Sequence, residues 1–160
     1  MSSQEHKEKI WNYIKDIKTC MLVTEDQGFM HARPMHIVQD DYDNKLWFFT
    51  SKSSEKVSEV QNKHRVCLTF SDTEKNVYVS LSGHAHLTQD KTLIDKFWNK
   101  VVAAWFPDGK ESEDVALLEI KIDKGEHWDA TSNPATFMAE IAKANIKDET
   151  PDLGENRKFG

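Results

Sequence analysis

The sequence predicts a single α+β domain in which six mostly antiparallel strands form a barrel with helices at its periphery. Short runs rich in Val, Ile, Phe and Trp alternate with turns rich in Gly, Asn and Asp, which is typical of consecutive antiparallel strands. One amphipathic segment interrupts this succession, and the other helical segments lie towards its ends. A doubly wound parallel sheet is not indicated, because neither a Gly-rich dinucleotide motif nor a P-loop motif follows a predicted strand.

The first third of the chain predicts a helix, a hairpin and a third strand. Apolar residues recur at helical spacing between charged ones over residues 4–18, which indicates an amphipathic opening helix. A turn at Gly28 favours a β-hairpin, and a polar turn over 40–44 precedes the next strand. The strands of this region are expected at 19–24, 29–38 and 46–51.

The rest of the chain predicts three further strands, three helices and a tail. Asp90 is a typical N-cap for an apolar helical stripe that should end before Phe106 and Pro107. Residues 1–146 form the single predicted domain, and the polar stretch 147–160 is expected to be a C-terminal tail outside it. The remaining strands are expected at 65–71, 77–87 and 115–122, and the remaining helices at 54–62 and 134–144.

Composition limits the kinds of partner that are expected. The chain has 160 residues, a formal net charge of −6 and no Lys/Arg run, so it lacks the basic face that a nucleic-acid partner requires. No stretch has the length of a membrane span, and the N-terminus has no apolar signal-peptide core. The sequence therefore predicts a cytoplasmic protein with neither a nucleic-acid nor a membrane partner.

Cysteines and histidines do not indicate a metal site. Cys20 and Cys67 each lie in an apolar strand-like run, where a reduced thiol acts as a small hydrophobic residue. His84 and His86 share one face of a predicted strand, as a pair of metal ligands would, but no third ligand is evident from spacing. Two solvated or hydrogen-bonded histidines are the favoured interpretation, and no metal is expected.

The junction between the third strand and the helix after it has the composition of an anion site. The apolar run 47–49 leads directly into Thr50, Ser51, Ser54 and Lys56. A helix start offers unpaired amides and the positive end of its dipole, to which the lysine adds a full charge. The alternative is an ordinary capped helix whose hydroxyls and lysine are solvated.

The order of elements, together with a set of motifs, resembles the FMN-binding split-barrel proteins related to pyridoxamine 5′-phosphate oxidase, specifically the general stress protein 26 branch. The resemblance extends over nearly the whole chain. No single motif is decisive, but their joint order is specific. The motifs are Ala-Arg-Pro-Met at 32–35, the strand 46–50 with Ser54 and Lys56, the strand 78–83, the helix 90–98, the Trp-Phe-Pro of 105–107, and Trp128.

The resemblance implies FMN as the cofactor and assigns residues to each part of it. The isoalloxazine ring would lie along the second strand, the ribityl chain over the third strand, and the phosphate at the strand–helix junction. Trp105 and Trp128 would approach the flavin of a partner protomer, so a homodimer with flavin at its interface is expected. The implied cofactor-binding residues are Arg33, Pro34 and Met35 for the ring, Phe49 and Thr50 for the ribityl chain, and Ser51, Ser54 and Lys56 for the phosphate end.

Arg33 is the cation expected beside the flavin ring. A guanidinium fork suits the ring oxygens and nitrogens, and Pro34 restricts the backbone of the residue before it. By strand parity His31 shares the face of Arg33 and is a further candidate neighbour of the ring. The alternative is a surface ion pair of Arg33 with Asp40 or Glu25.

The function that the resemblance implies is a flavin-dependent oxidoreductase that accepts a hydride at flavin N5 and needs no catalytic side chain. Its small-molecule redox partner is not indicated. The alternative is a binding or sensor protein for FMN, a deazaflavin or haem. Oxidation of vitamin B6 is not expected, because the substrate-binding Arg-x-His of true pyridoxamine phosphate oxidases is missing: the tail offers Arg157 and Lys158 without a histidine.

Overall fold

The computed structural model describes residues 3–62 and 64–160. They form one seven-stranded antiparallel sheet with five helices around it. In chain order the elements are α1 (Ser3–Ile17), β1 (Thr19–Asp26), β2 (Phe29–His36), β3 (Lys45–Ser51), α2 (Glu55–Asn62), β4 (Arg65–Asp72), β5 (Val77–Thr88), α3 (Lys91–Phe97), α4 (Lys100–Trp105), β6 (Val115–Ala130), α5 (Pro134–Lys147) and β7 (Gly154–Phe159).

The sheet is open between β2 and β3. The strands pair in the order β2-β1-β4-β5-β6-β3, and β7 pairs with the far end of β6. The Val38 amide, just beyond β2, donates to the Trp47 carbonyl of β3 at 3.1 Å, but the two strands do not pair along their length. The prediction of an α+β antiparallel sheet is confirmed. The predicted six-stranded split barrel differs from the structure in strand number, because the sheet has seven strands, and the sheet does not close into a barrel. We call the opening between β2 and β3 the split.

The main core lies inside the curved sheet and is covered at one end by α1. Buried and exposed residues alternate along β1, β4 and β5, because side chains of a strand point to opposite faces in turn. In contrast, β3 is buried on both faces, since a second cluster beneath α3 covers its other side. The main core includes Ile10, Ile14, Leu22, Leu46, Phe48, Leu68, Phe70, Leu81, Leu118 and Ile120.

Three elements differ from the sequence-based expectation. The helix after Asp90 breaks at Trp98, whose backbone is extended, and Asn99 caps α4 by accepting from the Val102 amide at 2.9 Å. Strand β6 continues well past the predicted end at residue 122. Part of the predicted tail forms β7, whose residues 154–159 pair with 125–130 of β6. Backbone hydrogen bonding to β6 therefore orders this polar stretch.

Gly154 marks the point where the chain turns into β7. Its φ is +149°, and a Cβ atom there would lie 1.9 Å from the Asp129 carbonyl oxygen. Any side chain at this position would therefore push β7 away from β6.

The structure also bears on the membrane and cysteine predictions. Within residues 3–62 and 64–160, no helix is long and apolar enough to cross a membrane. Cys20 and Cys67 are both free thiols, the first buried and the second half-buried. Burial raises the pKa of the Cys20 thiol to about 12, so it stays protonated and unreactive.

Candidate functional site

A buried ionic cluster lies where α2 meets the split. The Arg33 guanidinium of β2 donates from Nη1 to Thr24 Oγ1 at 2.6 Å and from Nη2 to Glu59 Oε2 at 2.7 Å. The Thr24 hydroxyl donates to the same carboxylate oxygen. The side chains of Arg33 and Glu59 are only 15% and 6% exposed. We call Thr24, His31, Arg33 and Glu59 the Arg33 cluster.

Glu59 is ionised within this cluster. Burial alone would raise the pKa of its carboxyl, but the hydrogen bonds from Thr24 and Arg33, together with the charge of Arg33, outweigh burial and lower it. His31 Nδ1 lies 3.6 Å from Glu59 Oε1, on the same face as Arg33, as strand parity predicts. The cluster is therefore an ion pair between β2 and α2, with a half-exposed imidazole beside it.

Lys56 brings a second cation to the same end of α2. Its Nζ lies 3.4 Å from Ser54 Oγ, which lies 3.2 Å from Thr50 Oγ1. Burial, followed by the like charge of Arg33, lowers the pKa of Lys56, and Glu59 opposes this only in part. The two cations thus face a single described carboxylate, so positive charge is left uncompensated here. An anion bound beside Lys56 would relieve this imbalance.

The opposite side of the junction already holds an anion of the chain itself. Asp114 accepts from the Ser51 hydroxyl and, at 3.1 Å, from the Ser53 amide. These hydrogen bonds lower the pKa of Asp114, and the bond from Ser51 has the largest effect. Adjacent residues of β3 point to opposite faces, so Ser51 lies on this side and Thr50 on the side of Lys56. The Ser51 hydroxyl and the Ser53 amide are therefore already bonded to a carboxylate of the chain, on the side of β3 away from Lys56.

Phe49 belongs to the second hydrophobic cluster. Its ring meets Trp98 edge-on with centroids 5.7 Å apart, and Phe106 lies at 6.2 Å. Phe49 thus lies across β3 from Thr50, although both were assigned to the ribityl chain. Trp98 lies on the apolar stripe that follows Asp90 and is partly buried, packed against the second hydrophobic cluster.

The side chains of the Arg-Pro-Met motif point to two faces of β2. Arg33 and Met35 share the inner face, where Met35 packs against the main core. Pro34 lies on the outer face, opposite Met21 of β1. The three residues therefore share a strand edge but not a side-chain surface.

Trp105 and Trp128 both present indole surface to the exterior, but at different places. Trp105 ends α4, is 80% exposed, and lines a cavity of about 220 Å³ together with Ser51 and Asp114. Trp128 is 38% exposed on β6, opposite Tyr78 and Asn156. In the single chain these indoles lie on elements other than β2 and α2, which carry Arg33 and Lys56.

Thr24, Glu59 and Asp114 are site residues that the sequence analysis missed. Glu59 lies three positions after Lys56 on α2, so the helical period places both on neighbouring positions of one face. That spacing was a usable signal for Glu59. No local signal marks Thr24 or Asp114, which reach the site only through strand pairing and a contact across 63 positions of sequence.

The paired histidines of β5 have separate partners. His84 contacts the Asp123 carboxylate, and His86 stacks on His64 with centroids 5.6 Å apart. Among the residues that the structure describes, no three His, Cys, Asp or Glu side chains are arranged to hold a metal ion.

Comparison with known proteins identifies the family. The family model described as "Pyridoxamine 5'-phosphate oxidase like" matches residues 5–152. General stress protein 26 of Bacillus subtilis strain 168 is 30% identical over 128 residues, which are 76% of this chain and 86% of that protein. The chain therefore belongs to the pyridoxamine 5′-phosphate oxidase like family. Within it, the chain belongs to the general stress protein 26 branch, as the motifs predict.

Solved structures of general stress proteins share the fold. The general stress FMN/FAD binding protein of Xanthomonas citri superposes with a TM-score of 0.70 at 33% identity, over 79% of this chain and 89% of that one. General stress protein 26 of Bacillus anthracis strain Sterne gives a TM-score of 0.68 at 26% identity, over 76% and 92% of the two chains. The name of the Xanthomonas citri protein states that it binds FMN or FAD.

Proposed function

We propose that this protein binds FMN in the split, with the phosphate held by Lys56 and the hydroxyls of Ser54 and Thr50. The uncompensated positive charge beside Lys56 carries the proposal, because a phosphate dianion supplies the missing negative charge. The donor set fits this group, since an ammonium and two hydroxyls at a helix start are ordinary phosphate ligands. Ser51 stays outside the set, because its hydroxyl donates to Asp114 on the other side of β3.

The ring of the flavin fits along β2. As an edge strand, β2 leaves backbone groups on one side without a strand partner, and these can bond the polar edge of a planar ring. Arg33 adds N–H donors and positive charge at that edge. Pro34 and Met35 would contribute through their backbone, because their side chains point to opposite faces. Phe49 would support the site from behind β3.

A homodimer would complete the site. An indole exposed as far as that of Trp105, together with exposed Trp128, is suited to burial against a second copy of the chain. In the proposed dimer each flavin lies at the interface and receives these indoles from the partner. The outer sheet face of β1 and β5, with Met21 and Tyr78 exposed, offers apolar surface to the same contact.

For activity we propose a flavin-dependent oxidoreductase. FMN, when bound, would accept and donate hydride. The chain would orient it, and the apolar cluster behind β3 would keep water away from it on that side. Arg33 would place a positive charge at the ring. A second candidate is a protein that binds flavin without turnover. The name of the Xanthomonas citri relative, which describes binding and not catalysis, favours this candidate.

The visible spectrum of the purified protein tests the proposal. A yellow protein, or an apoprotein that becomes yellow with stoichiometric FMN, is expected. Bleaching by NADH or NADPH and recolouring in air would establish turnover, whereas a yellow protein that neither reductant bleaches would favour the second candidate. A protein that takes up no FMN would contradict both, and deazaflavin and haem titrations would then test the remaining ligands.

A further inference from the structure

Glu59 is the most buried ionised group beside the proposed flavin site. Its carboxylate accepts from Arg33 and Thr24 and lies within 3.6 Å of His31, so groups from two strands converge on one helical side chain. The proposed phosphate ligands Lys56 and Ser54 contact each other, with Nζ and Oγ 3.4 Å apart. The contacts of Glu59 are instead with Arg33, Thr24 and His31.

The geometry of Arg33 depends on this carboxylate. The Nη1 and Nη2 bonds anchor the guanidinium to Thr24 and Glu59 across the end of the split. A guanidinium has five N–H donors in a rigid plane, so fixing two of them sets the direction of the others. Without Glu59 the long side chain of Arg33 would sample many rotamers, and its donors would lose their common orientation.

Glu59 also sets the charge of the site. Arg33 and Lys56 bring two positive charges, and Glu59 neutralises one of them. Because the Glu59 carboxylate is only 6% exposed, solvent and salt screen its charge less than they would screen an acid on the surface. One net positive charge remains, which is suited to an anionic ligand. Because Glu59 pairs with Arg33, the site does not hold two adjacent unpaired cations.

We propose that Glu59 is a positioning residue of the flavin site, which orients Arg33 towards the ring and limits the positive charge around it. This inference rests on the proposed FMN site. It concerns a residue that reaches the flavin only through Arg33.

The first test needs no flavin. Phenylglyoxal modifies accessible arginines, and mass spectrometry of the full-length apoprotein reports the rate at Arg33. We expect Glu59→Gln, which keeps the shape, and Glu59→Asp, which keeps the charge but shortens the reach, each to raise that rate about tenfold, the scale of one lost charged hydrogen bond. Glu74→Gln removes an exposed charge in the turn after β4 and should leave it unchanged. Equal protection of Arg33 in wild type and in both Glu59 variants would overturn the inference.

The second test measures the reduction potential of bound FMN. In Glu59→Gln the potential should shift to a more positive value, equivalent to about tenfold tighter binding of reduced relative to oxidised FMN, because a negative charge near the ring is removed. A merely structural Glu59 would lower the melting temperature and leave the potential at the wild-type value. If the wild-type protein binds no FMN, the proposed function fails, and the modification rates at Arg33 still decide whether Glu59 orients it.

Discussion

Two helices each cover a buried polar cluster on the same sheet, and the two clusters are built in opposite ways. Beneath α2, the Arg33 cluster is ionised and leaves positive charge uncompensated beside Lys56. Beneath α1, His6 Nε2 lies 3.1 Å from His127 Nδ1, and His127 is fully buried. Burial is the main cause that lowers the pKa of both histidines, so this pair is neutral near pH 7.

Around the histidine pair, charges are matched within the chain. Glu155 of β7 contacts both Lys9 and Arg157, and Tyr13 donates to Asp129. His127 Nε2 is buried and has no hydrogen-bond partner among the described residues, since the Glu155 carboxylate is 3.8 Å away. The negative charge of that carboxylate still favours a proton on Nε2, which leaves Nδ1 to accept from His6.

The two clusters differ in what their buried polar groups do: one stabilises the fold, and the other is suited to binding a ligand. A buried polar group that finds its partners in the same chain joins elements together, as the histidine pair joins α1 to β6 and, through Phe159, to β7. A buried cation whose charge is not matched by the chain favours an external anion. We therefore expect substitutions under α1 to change stability and those under α2 to change ligand affinity.

The largest effect is expected from His127→Ala. Removing a fully buried ring leaves a cavity and an unpartnered His6 nitrogen, so unfolding free energy should fall by about 2–4 kcal/mol. Urea denaturation measures it. FMN affinity of the folded variant should stay within about twofold of wild type. A large loss of affinity without a loss of stability would reverse the assignment of the two regions.

Lys56→Ala should produce the opposite pattern. Losing a charge-assisted phosphate contact should weaken FMN binding by about 1–3 kcal/mol, measured by fluorescence titration. The apoprotein should be at least as stable as wild type, because burial and Arg33 disfavour the lysine charge in the absence of ligand. Unchanged affinity would place the phosphate elsewhere.

The histidine pair should make stability depend on pH. Both folded-state pKa values lie below the unfolded value of 6.5, so below that pH the unfolded chain binds more protons. Stability should therefore be full above about pH 6.5 and fall as the pH decreases through the lowered values. The melting temperature from pH 8 to pH 5 measures it. His6→Gln should weaken this pH dependence, whereas His86→Gln, at an exposed position of β5, should retain it. An equal loss of pH dependence in the two variants would show that the His6–His127 pair is not its source.

The smallest effect is expected from Ser51→Ala. The Ser51 hydroxyl bonds Asp114 at an exposed site, where water competes for the bond, so the free energy of unfolding measured by urea denaturation should fall only slightly. FMN affinity should not change measurably, because the Ser51 hydroxyl is already bonded to Asp114 and is not a proposed phosphate ligand. A loss as large as that in Lys56→Ala would show that the phosphate contacts both sides.

The sequence predicted the parts of this structure that depend on local pattern. The apolar run into Thr50, Ser54 and Lys56 located the strand–helix junction, since an aromatic strand and a hydroxyl-rich helix start are local features. The position of Glu59 against Arg33 was not predicted, because it depends on how α2 packs across the split. Strand β7 was missed for a similar reason: its order comes from backbone pairing with β6, which polar composition does not reveal.

The comparison of FMN with riboflavin tests the central claim most directly, because the two ligands differ only by the phosphate. Titration of the wild-type apoprotein should give FMN an affinity at least about tenfold higher than riboflavin, the scale of one charge-assisted contact. In Lys56→Ala that difference should largely disappear, with riboflavin affinity unchanged. Equal affinities of the wild-type protein for the two ligands would contradict a phosphate site beside Lys56.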